Sequence, residues 1–330
     1  MNTSKRHHYL PRFYLEGFSN TNILYVYDRK DDQYRKQTPL NTAIQKHYYT
    51  IDQKDGKKNI EIEKMLSQLE GNTKKVINNI MLRRTLSNTD KTIMSLFISF
   101  QWTRIPDFEC MVNESMRSNI KKIGDILHKD VNRIKQTIQS YEKDTRDKIE
   151  IEAAKLKEFW DRGNFDIVIN RNASLDMMLK IAPECARFLS IMDWVLAIAP
   201  KGYSFITTDS PFVLVPSSDE KVKGVFQNSV GLLISGVRKF FPISQKVCVV
   251  IGDLGDKTQY AKYNKSLCKS INAKLARHAK RFIIARDQEL LKSLVKEEKL
   301  DQRQRGDLFR IQEFGPFQIL QNTPIEKLKR

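Results

Sequence analysis

Near its start the chain reads HHYLPRFYLEGFSN (residues 7–20), which sets His8, Arg12 and Tyr14 among aromatic residues and leucines. A histidine titrates near neutrality and can move a proton, and an arginine offers a planar fork that matches phosphate or carboxylate. Pro11 favours a short helical turn over residues 10–17, and if residues 8–15 are helical, His8 and Arg12 share a face. The plainer role for both is to pin the N-terminal turn onto the core through backbone carbonyls.

Four other stretches carry candidate chemistry. In IEIEKMLSQLEGN, Glu63 and Glu70 lie seven residues apart, so on a helix they share a face about 10 Å apart. Such acids can hold a divalent metal, act as a base or orient an arginine, or else form a solvated helix face. In FISFQWTRIPDF, Gln101 and Arg104 interrupt the most apolar helix of the chain. Burying an arginine alone is expensive, so Arg104 is expected to pair with Glu63, Glu70 or Asp209, in a site or in a purely structural ion pair.

In FITTDSPFVLVP (205–216), Thr208 and Asp209 end a β run just before Ser210 and Pro211. A carboxylate there points into a loop where ligands often bind, or it caps that loop as an Asx turn. In INAKLARHAKRFIIAR, Lys274, Arg277, Lys280 and Arg281 form a basic cluster beside Asn272 and His278. On a surface this cluster would neutralise phosphates; its plainer reading is a solvated helix face.

The elements that must position these groups follow from periodicity. ILYVYDR (23–29), the segment after DDQYRKQ, and HYYTID (47–52) have strand composition and suggest a small N-terminal β unit. From about residue 58 the period changes, with Ile60, Ile62, Met65, Leu66, Leu69, Val76, Ile77 and Ile80 recurring at three- and four-residue steps. Ser87 and Asn88 start a dense apolar helix that Pro106 should end. Residues 108–162 read as a charged helical hairpin, and 173–190 as one more helix.

After residue 191 short β-rich runs broken by Gly, Pro and Ser imply a sheet, with a helix over 257–279 and a last strand at KRFIIAR (280–286). The fold class is therefore α+β: a small N-terminal β unit, a central helical block, and a C-terminal antiparallel or mixed sheet with one packed helix. The expected boundaries are 1–56, 57–190, 191–290 and a basic tail at 291–330, within one composite domain.

Composition limits the function. Lys and Arg total 57 against 39 acids, a net charge of +18, which favours polyanions and above all nucleic acid, although a lysine-rich composition spread over solvated helices gives the same number. Cys110, Cys185, Cys248 and Cys268 form no CxxC, which fits a reducing cytoplasm and neither a disulfide framework nor a zinc ribbon. No run approaches the roughly 18 apolar residues of a membrane span. There is no P-loop, GxGxxG, HExxH or GxSxG, so any function rests on dispersed residues.

These stretches together resemble the uncharacterised bacterial domain-of-unknown-function family 4238. HHYLPRFYLEGFS is similar to that family's His-Tyr-x-Pro-x-Phe-Tyr-Leu-x-x-Phe start, and FITTDSPFVL to its Thr-Ser/Thr-Asp-x-Pro segment. LYVYDR, IEKMLSQLEG, FISFQWTRIP, FFPISQKVCVVI and INAKLARHAKRFIIA extend the likeness over most of residues 7–285. Arg12 stands where that family often has glutamine, and Ser210 where it often has asparagine. The resemblance implies no agreed activity; it implies that the polar residues above occupy its motif positions.

The function expected from charge and motifs is a nucleic-acid-acting protein, a nuclease-type effector of bacterial antiphage defence working on RNA or DNA. In it His8 transfers the proton, Arg12 and Arg104 hold phosphate, and Glu70 and Asp209 orient the arginines or bind a divalent metal with Glu63. Tyr14, Gln101, Thr208, Lys274, Arg277 and Arg281 contact the substrate, and a phage-derived trigger is a further expected partner. The alternative is a non-catalytic binding or sensor module that recognises a phage protein, a nucleotide or nucleic acid.

Overall fold

A computed structural model describes residues 6–46, 51–52, 58–59, 61–216, 231–255, 259–300, 307–312 and 319–324. In chain order its first elements are β1 (Arg6–His8), α1 (Arg12–Glu16), β2 (Leu24–Asp28), β3 (Gln33–Gln37), β4 (Ile44–Lys46), β5 (Ile51–Asp52), β6 (Lys58–Asn59), α2 (Glu61–Met81) and α3 (Asn88–Thr103). Then come α4 (Pro106–Leu127), α5 (Val131–Thr145), α6 (Ala153–Arg162), α7 (Arg171–Ile191), β7 (Asp193–Ile198), β8 (Thr207–Thr208), β9 (Val213–Pro216), β10 (Val237–Pro242) and β11 (Val247–Gly252). The last are β12 (Tyr260–Lys262), α8 (Lys265–His278), β13 (Phe282–Ala285), α9 (Gln288–Glu297), β14 (Asp307–Gln312) and β15 (Ile319–Pro324). The class is α+β, with the helical block in the middle of the chain as expected.

Two units separate: residues 1–109 with 175–330, and residues 110–174. The first holds a five-stranded sheet in the order β12-β7-β11-β10-β9, in which only the β12–β7 pair is parallel. Every residue of β11, VCVVIG, is buried, so this strand is apolar throughout rather than alternating. A four-stranded antiparallel sheet runs β3-β2-β13-β8, joining strands from both ends of the sequence.

Helix α8 buries Cys268, Ile271, Asn272 and Leu275 at helical spacing and packs beside β8, β9 and α9. The one polar member of that stripe is fully satisfied. Asn272 Nδ2 donates to the Ser204 carbonyl at 2.9 Å, and its Oδ1 accepts the Ile206 amide at 3.1 Å.

Helices α2 and α3 pack together, α2 burying Ile62, Leu66, Thr73, Val76 and Ile80. Ser87 caps α3, and Ser87 and Asp90 close a reciprocal capping box. Pro106 ends the run as expected and also opens α4 as its first residue, where its missing N–H costs nothing.

Residues 108–162 form three helices instead of a hairpin. Asp130 caps α5 by accepting the Asn132 amide, and α5 ends at Arg146 in a left-handed conformation, φ 62°. A second departure is α9, which falls where the basic tail was expected. Asp287 caps it by accepting the Leu290 amide at 2.7 Å, and Leu291, Leu294 and Val295 bury its apolar face. Of the strand expected over 47–52, residues 51–52 lie in β5, and 47–50 are outside the described residues.

Candidate functional site

The N-terminal segment does not place His8 and Arg12 on one helical face. His8 closes β1, which pairs with β4 in the register His8↔Ile44, and the helix begins only at Arg12. His8 Nε2 lies 3.1 Å from the Leu40 carbonyl oxygen. Arg12 is exposed and pairs with Glu16 at 2.9 Å, the i,i+4 contact of a short surface helix.

Tyr14 goes inward. Its ring stacks on Phe241 at 5.5 Å, its hydroxyl donates to the Pro242 carbonyl at 2.8 Å, and it accepts from Thr207 Oγ1 at 2.7 Å. Burial raises the pKa of this phenol well above its ordinary value, so it stays protonated. Gly17 lets α1 end against the β10–β11 connection: a Cβ there would meet the Ile243 carbonyl oxygen at 3.1 Å, and Gln245 donates to the Gly17 carbonyl at 2.9 Å.

One polar knot lies between α2 and α3. Arg104, only 2% exposed, donates from Nη1 to Glu70 at 2.8 Å and from Nη2 to Gln101 Oε1. Gln101 Nε2 reaches back to the Tyr9 carbonyl at 3.3 Å. Of the three carboxylates open to Arg104, it takes Glu70. Its Nε finds no hydrogen-bond partner among the described residues. Glu63, on the same helix as Glu70, lies 3.6 Å from the buried His7 ring.

The second knot lies where β8 ends against β13. The ladder pairs Thr207↔Ile284 and Thr208↔Ile283 and continues through the Asp209 amide, which donates to the Phe282 carbonyl at 3.0 Å. The Asp209 side chain then completes it, with Oδ1 accepting the Lys280 amide at 3.1 Å and Oδ2 the Arg281 amide at 2.7 Å. These two N–H groups precede β13 and would otherwise lack a strand partner. Thr208 Oγ1 accepts the Ser210 amide at 3.2 Å, closing the turn before Pro211.

Burial pushes Asp209 up to about 6, nearby Asp107 pushes in the same direction, and the backbone donors oppose both. Asp107, in the first turn of α4, is itself raised by burial against the pull of Lys280, whose Nζ lies 3.2 Å away. His278 is lowered by burial, opposed by its bond to the Lys274 carbonyl at 2.8 Å, and its ring also senses Lys280 and Asp107. Two carboxylates, one ammonium and one imidazole thus share a half-buried corner, with proton affinities moved towards neutrality for both acids. That is an arrangement that can exchange protons.

Beside it the Arg281 guanidinium grips Asp28, Nη2 to Oδ2 at 2.9 Å, and Arg35 holds the same carboxylate at 3.2 Å. The candidate residues therefore fall into separate sets. Glu70, Gln101 and Arg104 meet; Thr208, Asp209 and Arg281 meet; Tyr14 joins α1 to β8 and β10; His8 and Arg12 have local partners. Lys274 donates to Ser270 Oγ at 2.7 Å, and Arg277 pairs with Glu298. Among the described residues no three or more His, Cys, Asp or Glu side chains gather as a metal site.

Asp28 and Asp107 were missed as site residues. Asp28 carried a signal, since it ends an apolar strand with an arginine on its far side. Asp107 carried only its place after the helix-breaking Ile105–Pro106.

The sequence profile of the family described as "Protein of unknown function (DUF4238)" matches residues 6–289, and the chain belongs to that family. No curated protein and no solved structure matches it.

Proposed function

We propose that this family member is a cytoplasmic nucleic-acid-binding protein that acts on RNA or DNA in bacterial defence against phage. The observation that carries this is the distribution of charge. From Tyr260 to Arg286 the chain has eight Lys or Arg and no Asp or Glu, and all eight are at least partly exposed along β12, α8 and the approach to β13. Meanwhile the buried acids of the same unit are occupied within the fold: Asp28 by Arg281 and Arg35, Glu70 by Arg104, and Asp209 by two amides. Of the eight, Lys269, Arg277, Lys280 and Arg281 pair with Glu297, Glu298, Asp107 and Asp28, and Lys262, Lys265, Lys274 and Arg286 have no carboxylate partner among the described residues, so this remainder is left to attract phosphates. The four cysteines are free, which accords with a reducing compartment, and no described helix is long and apolar enough to cross a membrane.

Binding of labelled RNA and DNA oligonucleotides across a salt series tests this reading. Contact with several phosphates makes the logarithm of affinity fall linearly with the logarithm of salt, at a slope of about −0.7 per phosphate for single strands. Absence of binding at low salt, or binding indifferent to salt, overturns it.

A nuclease reading is favoured by one feature, the Asp107–Lys280–Asp209–His278 corner. In it Asp107 is the proton acceptor, Lys280 stabilises charge on a phosphate oxygen, and Asp209 fixes the two residues that carry Lys280 and Arg281. Incubating end-labelled RNA and plasmid with the protein, with and without Mg²⁺, decides it. Cleavage abolished by Asp107→Asn supports the assignment; intact substrate in every lane leaves a binding protein.

A further inference from the structure

We infer that Arg238, Lys274 and Arg277 form a cradle for one phosphate group of a bound nucleic acid, set between β10 and α8. This rests on the nucleic-acid reading and locates a contact that the charge count alone does not.

The residues come from two elements that the core holds together. Arg238 lies on β10, opposite Val215 of β9, and α8 packs along β9. Lys274 and Arg277 are three residues apart on α8 and so project from neighbouring positions of one face. Lys274 is held at its tip: Nζ lies over Phe240, 6.0 Å from the ring centre, and donates to Ser270 Oγ.

Three cations sit here with little to neutralise them. Arg277 spends one donor, Nε, on Glu298 at the far edge. Arg238 is exposed and has no ion-pair partner among the described residues. The Lys274 ammonium is destabilised by burial, then by Arg277 and Arg238; Glu298 offsets Arg277 in part through its ion pair.

Like charges crowded at a half-buried position destabilise one another, and an anion placed among them reverses the sign of each interaction. Phosphate fits this set better than carboxylate. It offers enough oxygens for two arginines and one ammonium at once, whereas a carboxylate has two.

The full-length protein is tested with Arg238→Gln, Lys274→Gln and Arg277→Gln, and with Lys180→Gln as a control on α7, where the lysine is exposed and paired with Asp176. Expected for each cradle variant is a loss of affinity for a labelled RNA 12-mer of about three- to tenfold and a salt slope smaller by about one, with an unaffected control; the melting temperature of Arg238→Gln is not lowered, since that change removes a like charge. Wild-type affinity and slope in Arg238→Gln and Lys274→Gln overturn the cradle and leave the nucleic-acid reading standing.

A parallel calorimetric titration with inorganic pyrophosphate separates the two ideas. If the wild type binds neither RNA nor DNA, that reading falls. Pyrophosphate binding that Arg238→Gln abolishes still establishes the cradle, and no heat with the wild type removes it.

Discussion

Asp209 and Arg281 touch through the backbone and not through charge: Asp209 Oδ2 accepts the Arg281 amide at 2.7 Å, while the guanidinium turns to Asp28 at 2.9 Å. One arginine thus lies next to two buried carboxylates that move in opposite directions. Burial acts to raise Asp28, but the bonds and charge of Arg281, the Lys30 amide and Arg35 bring it below the usual carboxylate value. Asp209 receives amides only, and burial wins. Direct contact with a guanidinium, which Asp28 has and Asp209 lacks, decides which acid holds a proton.

This gives a pH signature. The folded form of Asp209 binds its proton more tightly than the unfolded chain does, so its contribution to stability is complete below about 3.8 and is lost as pH rises towards about 6. The full swing is on the order of 3 kcal/mol. Asp28 has the opposite sign: its contribution is present above 3.8 and is lost as pH falls below that value. Urea midpoints measured from pH 3.5 to 7 should therefore show a downward component between 4 and 6 that is missing in Asp209→Asn. Parallel pH profiles for the two proteins would refute the assignment.

The Arg104–Glu70 pair predicts a structural phenotype. Arg104→Ala leaves the buried Gln101 Oε1 without its donor and Glu70 without its cation, at a cost of about 3–5 kcal/mol. Replacing both partners by apolar residues, Arg104→Met with Glu70→Leu, recovers part of that loss, since no charge is then stranded while Gln101 Oε1 still lacks its donor. Equilibrium unfolding measures both. RNA affinity of the double variant should match wild type, because Arg104 is spent inside the fold; a lost affinity with recovered stability would return Arg104 to the binding surface.

What the sequence disclosed and concealed follows from the range of the interactions. The helical stripe through Ile62, Leu66, Val76 and Ile80, the helix start at Ser87 and Asn88 and the need of Arg104 for a carboxylate are local or nearly local, and they were legible. His8 was misplaced because its strand exists only by pairing with residues 44–46, and no periodicity over 8–15 records that. Tyr14 sits in a polar-looking motif, yet its partners Thr207, Phe241 and Pro242 are nearly two hundred residues or more away, so its burial could not be read. The corner at Asp209 was half visible: the Asp and the basic cluster stood out, whereas Asp107 joins them only because α4 starts beside β13.

Tyr14 carries its own prediction. Tyr14→Phe keeps the ring stack on Phe241 and removes the hydroxyl, leaving the buried Pro242 carbonyl and Thr207 hydroxyl each short of a partner. The expected loss is about 1–3 kcal/mol with no change in nucleic-acid affinity. Chemical denaturation detects it; an unchanged midpoint would mean that the phenol contributes packing alone.

In the second unit, Gly124 of α4 tests whether close packing outweighs helix propensity. By propensity Gly124→Ala should stabilise an α-helix by about 1 kcal/mol. The structure reverses that sign: an added Cβ would fall 2.0 Å from Trp160 Cζ2, so the indole of α6 must leave its place. Its departure breaks the bond from Trp160 Nε1 to Asp125 at 2.8 Å and the His128 stack at 4.5 Å. Overpacking of this kind costs about 1–3 kcal/mol, more than propensity returns. Hydrogen exchange should accelerate in α4–α6 and stay at wild-type rates in β7, β10 and β11. A combined Gly124→Ala, Trp160→Leu variant should recover part of the protection, since a leucine ends short of the position the methyl needs. Exchange in Gly124→Ala slower than wild type would show that propensity prevails and that the indole contact is dispensable.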